Sequence, residues 1–171
     1  MKLTGPEVFV SEEHLVKVDF ALLDQIKAQA MRTPRQRARL CAHLDTKDRL
    51  HEMFIVMARD IYVRPHKHLG KSESFHVIQG AADIVFFDEN GMVEEFFRIG
   101  DVASGKVFYF RNDEARYHTQ IITSESLVVH EITNGPFNRA ETVFAPWAPE
   151  ETNLPDVRDY MNKLKQHVAG E

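Results

Sequence analysis

The chain has 171 residues, 43% of them hydrophobic and twelve of them phenylalanine, which suffices for one packed core and falls short of two ordinary domains. A formal net charge of −5 gives no general attraction to nucleic acid or to an acidic membrane surface. No apolar run is long enough to span a membrane, no signal-peptide pattern opens the chain, and the lone Cys41 excludes an intrachain disulfide, so a reducing, cytoplasmic compartment is the expected one.

The chain reads as a helical front, a β middle and a helical tail. A short strand is expected around Glu7–Val10. Asp19 suits a helix N-cap, Val18 with Leu23 suits a hydrophobic staple, and Leu22, Ile26 and Ala30 share one helical face. Thr33, Pro34 and Gln36 form a second start signal, N-cap, first helical position and capping box, which predicts a helix running to about His43. From Leu50 the period changes to that of strands. Met53–Val63, Ser74–Ile78, Ala82–Phe87, Val93–Ile99, Val107–Phe110, His118–Ile122 and Leu127–Thr133 are the expected ones. Asn90-Gly91 suits a hairpin turn, because both residues tolerate positive φ. Pro146, Pro149 and Pro155 make the stretch after Ala145 extended, and a last helix places Val157, Tyr160, Met161, Leu164 and Val168 on one side.

The most informative stretch is RPHKHLGKSESFHVIQG, from Arg64 to Gly80. Residues two apart on a strand point to the same face, so His66 and His68 project side by side. A carboxylate from the next strand, Glu73, can close on the same point, and His118 on a later strand offers a third imidazole. A His-x-His pair alone is commonly two ordinary histidines. The spaced Glu73, the closing Gly80 and the later His118 together favour a metal site, the alternative being a similar site without metal function.

The spacing H-x-H-x4-E-x6-G is that of the first cupin motif. The stretches YVRPHKH, SESFHVIQG, VFFDENGMV and APWAPEE resemble the WbuC-type cupin-fold metalloproteins, a bacterial family found with O-antigen gene clusters, over most of the chain from Asp19 onward. The resemblance implies that His66, His68, Glu73 and His118 bind the metal. It also implies a mainly β fold, a cupin or jelly-roll β-barrel with an N-terminal helical extension and a C-terminal helix. Residues 1–48, 49–145 and 146–171 would form these three parts of one structural domain. It does not imply a reaction.

Strand parity supplies further candidates. Arg64 and Tyr62 share the parity of His66, subject to a break at Pro65; Arg64 suits an anionic ligand or a structural carboxylate, and Tyr62 a ligand or the core. His130 faces inward if Val128 does, as a substrate contact or a core histidine. His76 is out of phase with Glu73 and should face outward. The run Arg32, Arg35, Arg37, Arg39 is either a solvated helix face or a cap over an anionic ligand.

The expected function is that of a metalloenzyme holding one divalent transition metal (Zn, Fe, Mn, Ni or Co) per chain. Such an enzyme, isomerase/epimerase-like or dioxygenase-like, would act on a small sugar or anionic molecule in surface-polysaccharide (lipopolysaccharide) biosynthesis. A metal-dependent binding or accessory protein without turnover is the alternative, and neither nucleic acid nor membrane is an expected partner. Phe86-Phe87 and Phe96-Phe97 put one phenylalanine of each pair on each sheet face, and only one face can fill a barrel. The other is expected to meet a second subunit, making a homodimer. Sedimentation at micromolar concentration checks this: a dimer has twice the single-chain mass, whereas a single-chain species means the face is covered internally.

Overall fold

The computed structural model describes residues 1–170. Its elements in chain order are β1 (Lys2–Gly5), β2 (Val8–Val10), α1 (Phe20–Ala30), β3 (Arg37–Cys41), β4 (Leu50–Ala58), β5 (His66–His68), β6 (Glu73–Gln79), β7 (Ala81–Phe87), β8 (Val93–Gly100), β9 (Tyr109–Asn112), β10 (Tyr117–Ile122), β11 (Ser126–Asn134), β12 (Thr142–Phe144) and α2 (Leu154–Ala169). The strands form a seven-stranded sheet, β1-β2-β3-β4-β11-β6-β9, and a five-stranded sheet, β12-β5-β10-β7-β8.

Alternation assigns each strand two jobs. On the inner faces Met57, Phe75, Val77, Leu127 and Val129 of the large sheet meet Ala82, Ile84, Phe86 and Ile122 of the small one. Burying each large aliphatic side chain there contributes about 1.5–3 kcal/mol. On the outer face of the large sheet, Ala38, Leu40, Val56 and Val128 receive Leu23, Ile26 and Ala30 of α1. That helix starts where expected: the Leu22 amide donates to the Asp19 carboxylate at 2.9 Å. On the outer face of the small sheet, Val85, Phe87, Tyr117 and Ile121 receive Met161, Leu164 and Val168 of α2, with Phe96 and Trp147 packed beside them. Phe86 and Phe97 therefore face in, and Phe87 and Phe96 face out under α2. The apolar face that motivated a homodimer is covered by the chain's own helix.

The second N-terminal helix is a correction. Residues 33–36 make a turn and Arg37–Cys41 form β3, antiparallel to β4 and parallel to β2. Thr33 does accept from a backbone amide, but from Arg37 at 3.2 Å, while its hydroxyl donates to Ala30. The side chain closes a turn instead of opening a helix. Gln36 takes φ +46°, and period-2 burial of Ala38 and Leu40 against α1 settles the rest. Long-range pairing outweighs local capping preference here. The strand expected to reach Val63 ends at Ala58, and residues 59–65 run irregularly to Pro65 before β5 begins.

The turn at residues 88–92 is a hairpin as expected. Asp88 accepts from the amides of Asn90 and Met92 at 2.8 Å each, and Gly91 sits at φ +90° against Trp147. Gly80, which closes the His-x-His motif, joins β6 to β7 at φ +91°, and a Cβ there would fall on the Ser126 carbonyl oxygen. Gly80→Ala is expected to lose at least about 2 kcal/mol of stability, through strain at positive φ and displacement of β11. Urea unfolding measures this; an unchanged midpoint contradicts the reading.

Candidate metal centre

Three strands converge on one point in the barrel. His66 on β5 pairs across the ladder with His118 on β10, and His68 lies one pleat further along β5. The ring centroids of His66 lie 4.9 Å from His68 and 4.7 Å from His118. One donor nitrogen from each of the three lies within 4.8 Å of the others. Glu73 starts β6 in the opposite sheet and faces them, fully enclosed. One carboxylate oxygen lies 3.2 Å from His118 Nε2 and the other 3.5 Å from His68 Nε2.

The far side of each ring is also held. Nδ1 of His66 lies 2.9 Å from the Arg64 carbonyl oxygen, Nδ1 of His118 lies 3.1 Å from that of Arg116, and Nδ1 of His68 lies 3.3 Å from the Thr142 hydroxyl. A backbone carbonyl accepts from Nδ1–H, which leaves Nε2 of His66 and His118 unprotonated in the neutral ring. That is the tautomer a metal needs. Local sequence makes the arrangement: in both cases the carbonyl belongs to the residue two before the histidine.

The electrostatics agree with a ligand set. Burial pushes His66 down to about 3, reinforced by His118, so it is neutral. Burial also acts to lower His118, but the Glu73 carboxylate outweighs it and holds His118 above its ordinary value. Burial would raise Glu73; hydrogen bonds from His118 and His68 reverse that and hold it well below the carboxylate range. Three convergent imidazoles and one ionised carboxylate are a donor set that fits a divalent transition metal.

The cluster opens on a cavity of about 970 Å³, large enough for a small organic molecule. Met57, Phe75, Ile84 and Phe110 give it apolar walls. Arg64 lines it, as strand parity predicts, with Nη2 donating to the Ala145 carbonyl at 3.2 Å and Nη1 lying 3.6 Å from the Glu150 carboxylate. Its Nε is buried without a partner.

Two expected site residues lie elsewhere. Tyr62 donates to the Pro149 carbonyl at 2.9 Å and packs edge-on against Tyr160 beneath α2, because the break at Pro65 separates its parity from that of His66. His130 does share the face of Val128, but that face meets α1. It stacks on Phe54 at 4.6 Å and lies 3.6 Å from Glu52. His76 faces outward toward Phe108 as expected.

Sequence reading missed Glu131. It lies between Met53 and Phe75 in register, on the cavity wall, with Leu127 and Val129 of the same face buried in the core. Burial, and then the nearby Glu73 carboxylate, push its carboxyl up to about 8, against a smaller opposing pull from Arg39. The signal was present: a glutamate two residues after a core valine, in phase with it. Gln120, in phase with His118, is another buried polar side chain on the wall that sequence reading missed.

A family model described as "Domain of unknown function (DUF6016)" matches residues 18–99. No curated protein matches the chain. Among solved structures, a Shewanella oneidensis protein, SO0799, is similar with TM-score 0.51 at 9% identity, over 62% of this chain and 72% of that one. A cupin superfamily protein from Desulfitobacterium hafniense has TM-score 0.46 at 14% identity, over 60% of this chain and 80% of that one. A Lactobacillus farciminis oxalate decarboxylase, solved as a formate complex, has TM-score 0.45 at 14% identity over 57% of this chain, and the match spans only 27% of that enzyme. The facing sheets, the two helices and the placement of the motif give the chain a mainly β, cupin-like fold, with a three-histidine cluster able to hold a metal ion.

Proposed function

We propose that the protein binds one divalent first-row transition metal per chain through His66, His68, Glu73 and His118, and acts on a small polar or anionic molecule held in the adjoining cavity. The observation that carries this reading is the convergence of three imidazoles whose outer nitrogens are fixed by Arg64, Arg116 and Thr142. Bound there, the metal would supply Lewis acidity or a site for oxygen. The chain's own groups do the rest. Apolar side chains line part of the cavity, Arg64 sets a cation at the cavity wall, and Glu131 offers a carboxyl that can hold or release a proton beside the cluster.

The finer reading, an isomerase/epimerase-like or dioxygenase-like enzyme of O-antigen or other surface-polysaccharide synthesis, is supported by the resemblance of YVRPHKH and SESFHVIQG to the WbuC-type proteins. The second reading is a metal-dependent binding or accessory protein without turnover. It is favoured by the engagement of Arg64 with Glu150 and Ala145, which occupies the most obvious substrate cation. Iron in the native protein supports oxygen chemistry; zinc supports Lewis-acid or structural roles.

Elemental analysis of His66→Ala/His68→Ala is expected to show loss of metal with retention of the fold. Unchanged metal content overturns the ligand assignment. Metal uptake is also pH-dependent, because His118 carries its proton in the metal-free protein up to a raised pKa and must lose it to ligate. Affinity therefore rises as pH rises through that value, with protons released on binding. Calorimetry in buffers of different ionisation enthalpy reads the release; binding without proton release at a pH below the ordinary histidine value contradicts it.

A further inference from the structure

The cations lining the cavity are mostly spoken for. Arg35 lies 3.7 Å from Glu7 and 3.4 Å from Glu151, and Arg37 lies 3.4 Å from Glu7. Arg64 lies 3.6 Å from Glu150, and Lys71 lies 3.1 Å from Glu141. Among the described residues, Arg39 and Arg139 line the cavity with no carboxylate within 4.0 Å. Arg139 sits on an exposed turn, Arg139–Glu141. Arg39 is exposed too, but it is mid-strand on β3, paired on both sides with Val8 and Ile55, and its amide donates to the Glu7 carbonyl at 2.8 Å. Its parity is that of Arg37 and Cys41, toward the cavity, while Ala38 and Leu40 face α1. Its side chain lies beside the Cys41 thiol, and a cation on a fixed backbone, facing the cavity without a carboxylate ion-pair partner, can meet an anionic ligand there.

The ladders give its distance from the metal ligands. Arg39 is level with Ile55, Val129 and Val77, and Glu73 lies four residues before Val77 on β6. Three strand steps of about 4.8 Å and a four-residue offset at about 3.4 Å per residue separate the backbones by roughly 20 Å. The long arginine and the glutamate span about half of that, leaving a gap on the order of 10 Å. Met53, Glu131 and Thr133 line the wall between. Glu131 is near enough to act on Arg39 electrostatically, yet it forms no ion pair with it.

We propose that Arg39 anchors an anionic group of the cavity's ligand while the ligand's other end lies at the histidine–Glu73 cluster. The ligand class is thus a short bifunctional organic anion, with a charged group at one end and a metal-binding group at the other. This rests on the metal reading above. A four-carbon dicarboxylate, with a carboxylate at each end, represents this class.

The test is calorimetric titration of the purified protein with succinate and with butyrate, which has the same chain length and one charge fewer, with metal content measured on the same samples. Succinate is expected to bind at least about tenfold more tightly, the worth of one charge-assisted contact. Arg39→Gln should bring the two affinities together with metal content unchanged. Arg39→Lys keeps the charge without the bidentate fork, so it should retain part of the preference, and it carries the test if Arg39→Gln fails to fold. Equal affinities in metal-loaded wild-type protein, or a preference that survives Arg39→Gln undiminished, overturns the Arg39 assignment alone. Wild-type protein without metal overturns the metal reading, and the bifunctional ligand with it.

Discussion

Glu73 is the constraint on which the site depends. A carboxylate enclosed by protein is costly unless charge and hydrogen bonds compensate it. Here the compensation comes from the opposite sheet: His68 and His118 meet one oxygen each. The contact joins β6 to β5 and β10 across the barrel, so the candidate site and the packing of the two sheets share the same atoms. Removing one partner from a buried pair of this kind costs about 3–5 kcal/mol, because the remaining charge is stranded. A divalent ion among these side chains would replace the imidazolium proton as the counter-charge to Glu73.

Both sheets are built so that this cluster lies at the end of a lined space rather than in a solid core. Each helix covers an outer face: α1 the large sheet, α2 the small one. The inner faces are left to mix apolar walls with a few inward polar groups, Glu131, Gln120 and Thr133 among them. The strands β1, β2 and β3 extend the large sheet past the barrel, and they carry arginines on the cavity side. The N-terminal segment therefore adds to the site's wall and is not an appendage to it.

The site was legible in the sequence wherever one local rule sufficed. The His-x-His pair on one strand face, the strand after it and the Asn90-Gly91 turn all follow from pleat and turn geometry. Legibility failed where a nonlocal contact chose between two local options. Thr33, Pro34 and Gln36 satisfy helix-start rules, yet pairing with β4 and burial of Leu40 on α1 make a strand, which turns a basic helix face into arginines on a cavity wall. His130 was phased correctly with Val128. Its face could not be read, because Leu127, Val128 and Val129 are all fully buried and β11, covered on both sides, shows no alternation. Tyr62 was lost at Pro65, where the strand breaks. Glu131 could have been read from its phase with Val129, had the inner face been known.

The central claim is that His66, His68, Glu73 and His118 form a metal's ligand set. X-ray absorption at the metal edge of the native protein tests it most directly, since imidazole rings give a distinctive multiple-scattering pattern. The account predicts a nitrogen/oxygen shell with scattering from three imidazoles and no sulfur, lost in His118→Ala. A sulfur shell, an ion with no imidazole scattering, or protein purified without any transition metal contradicts it.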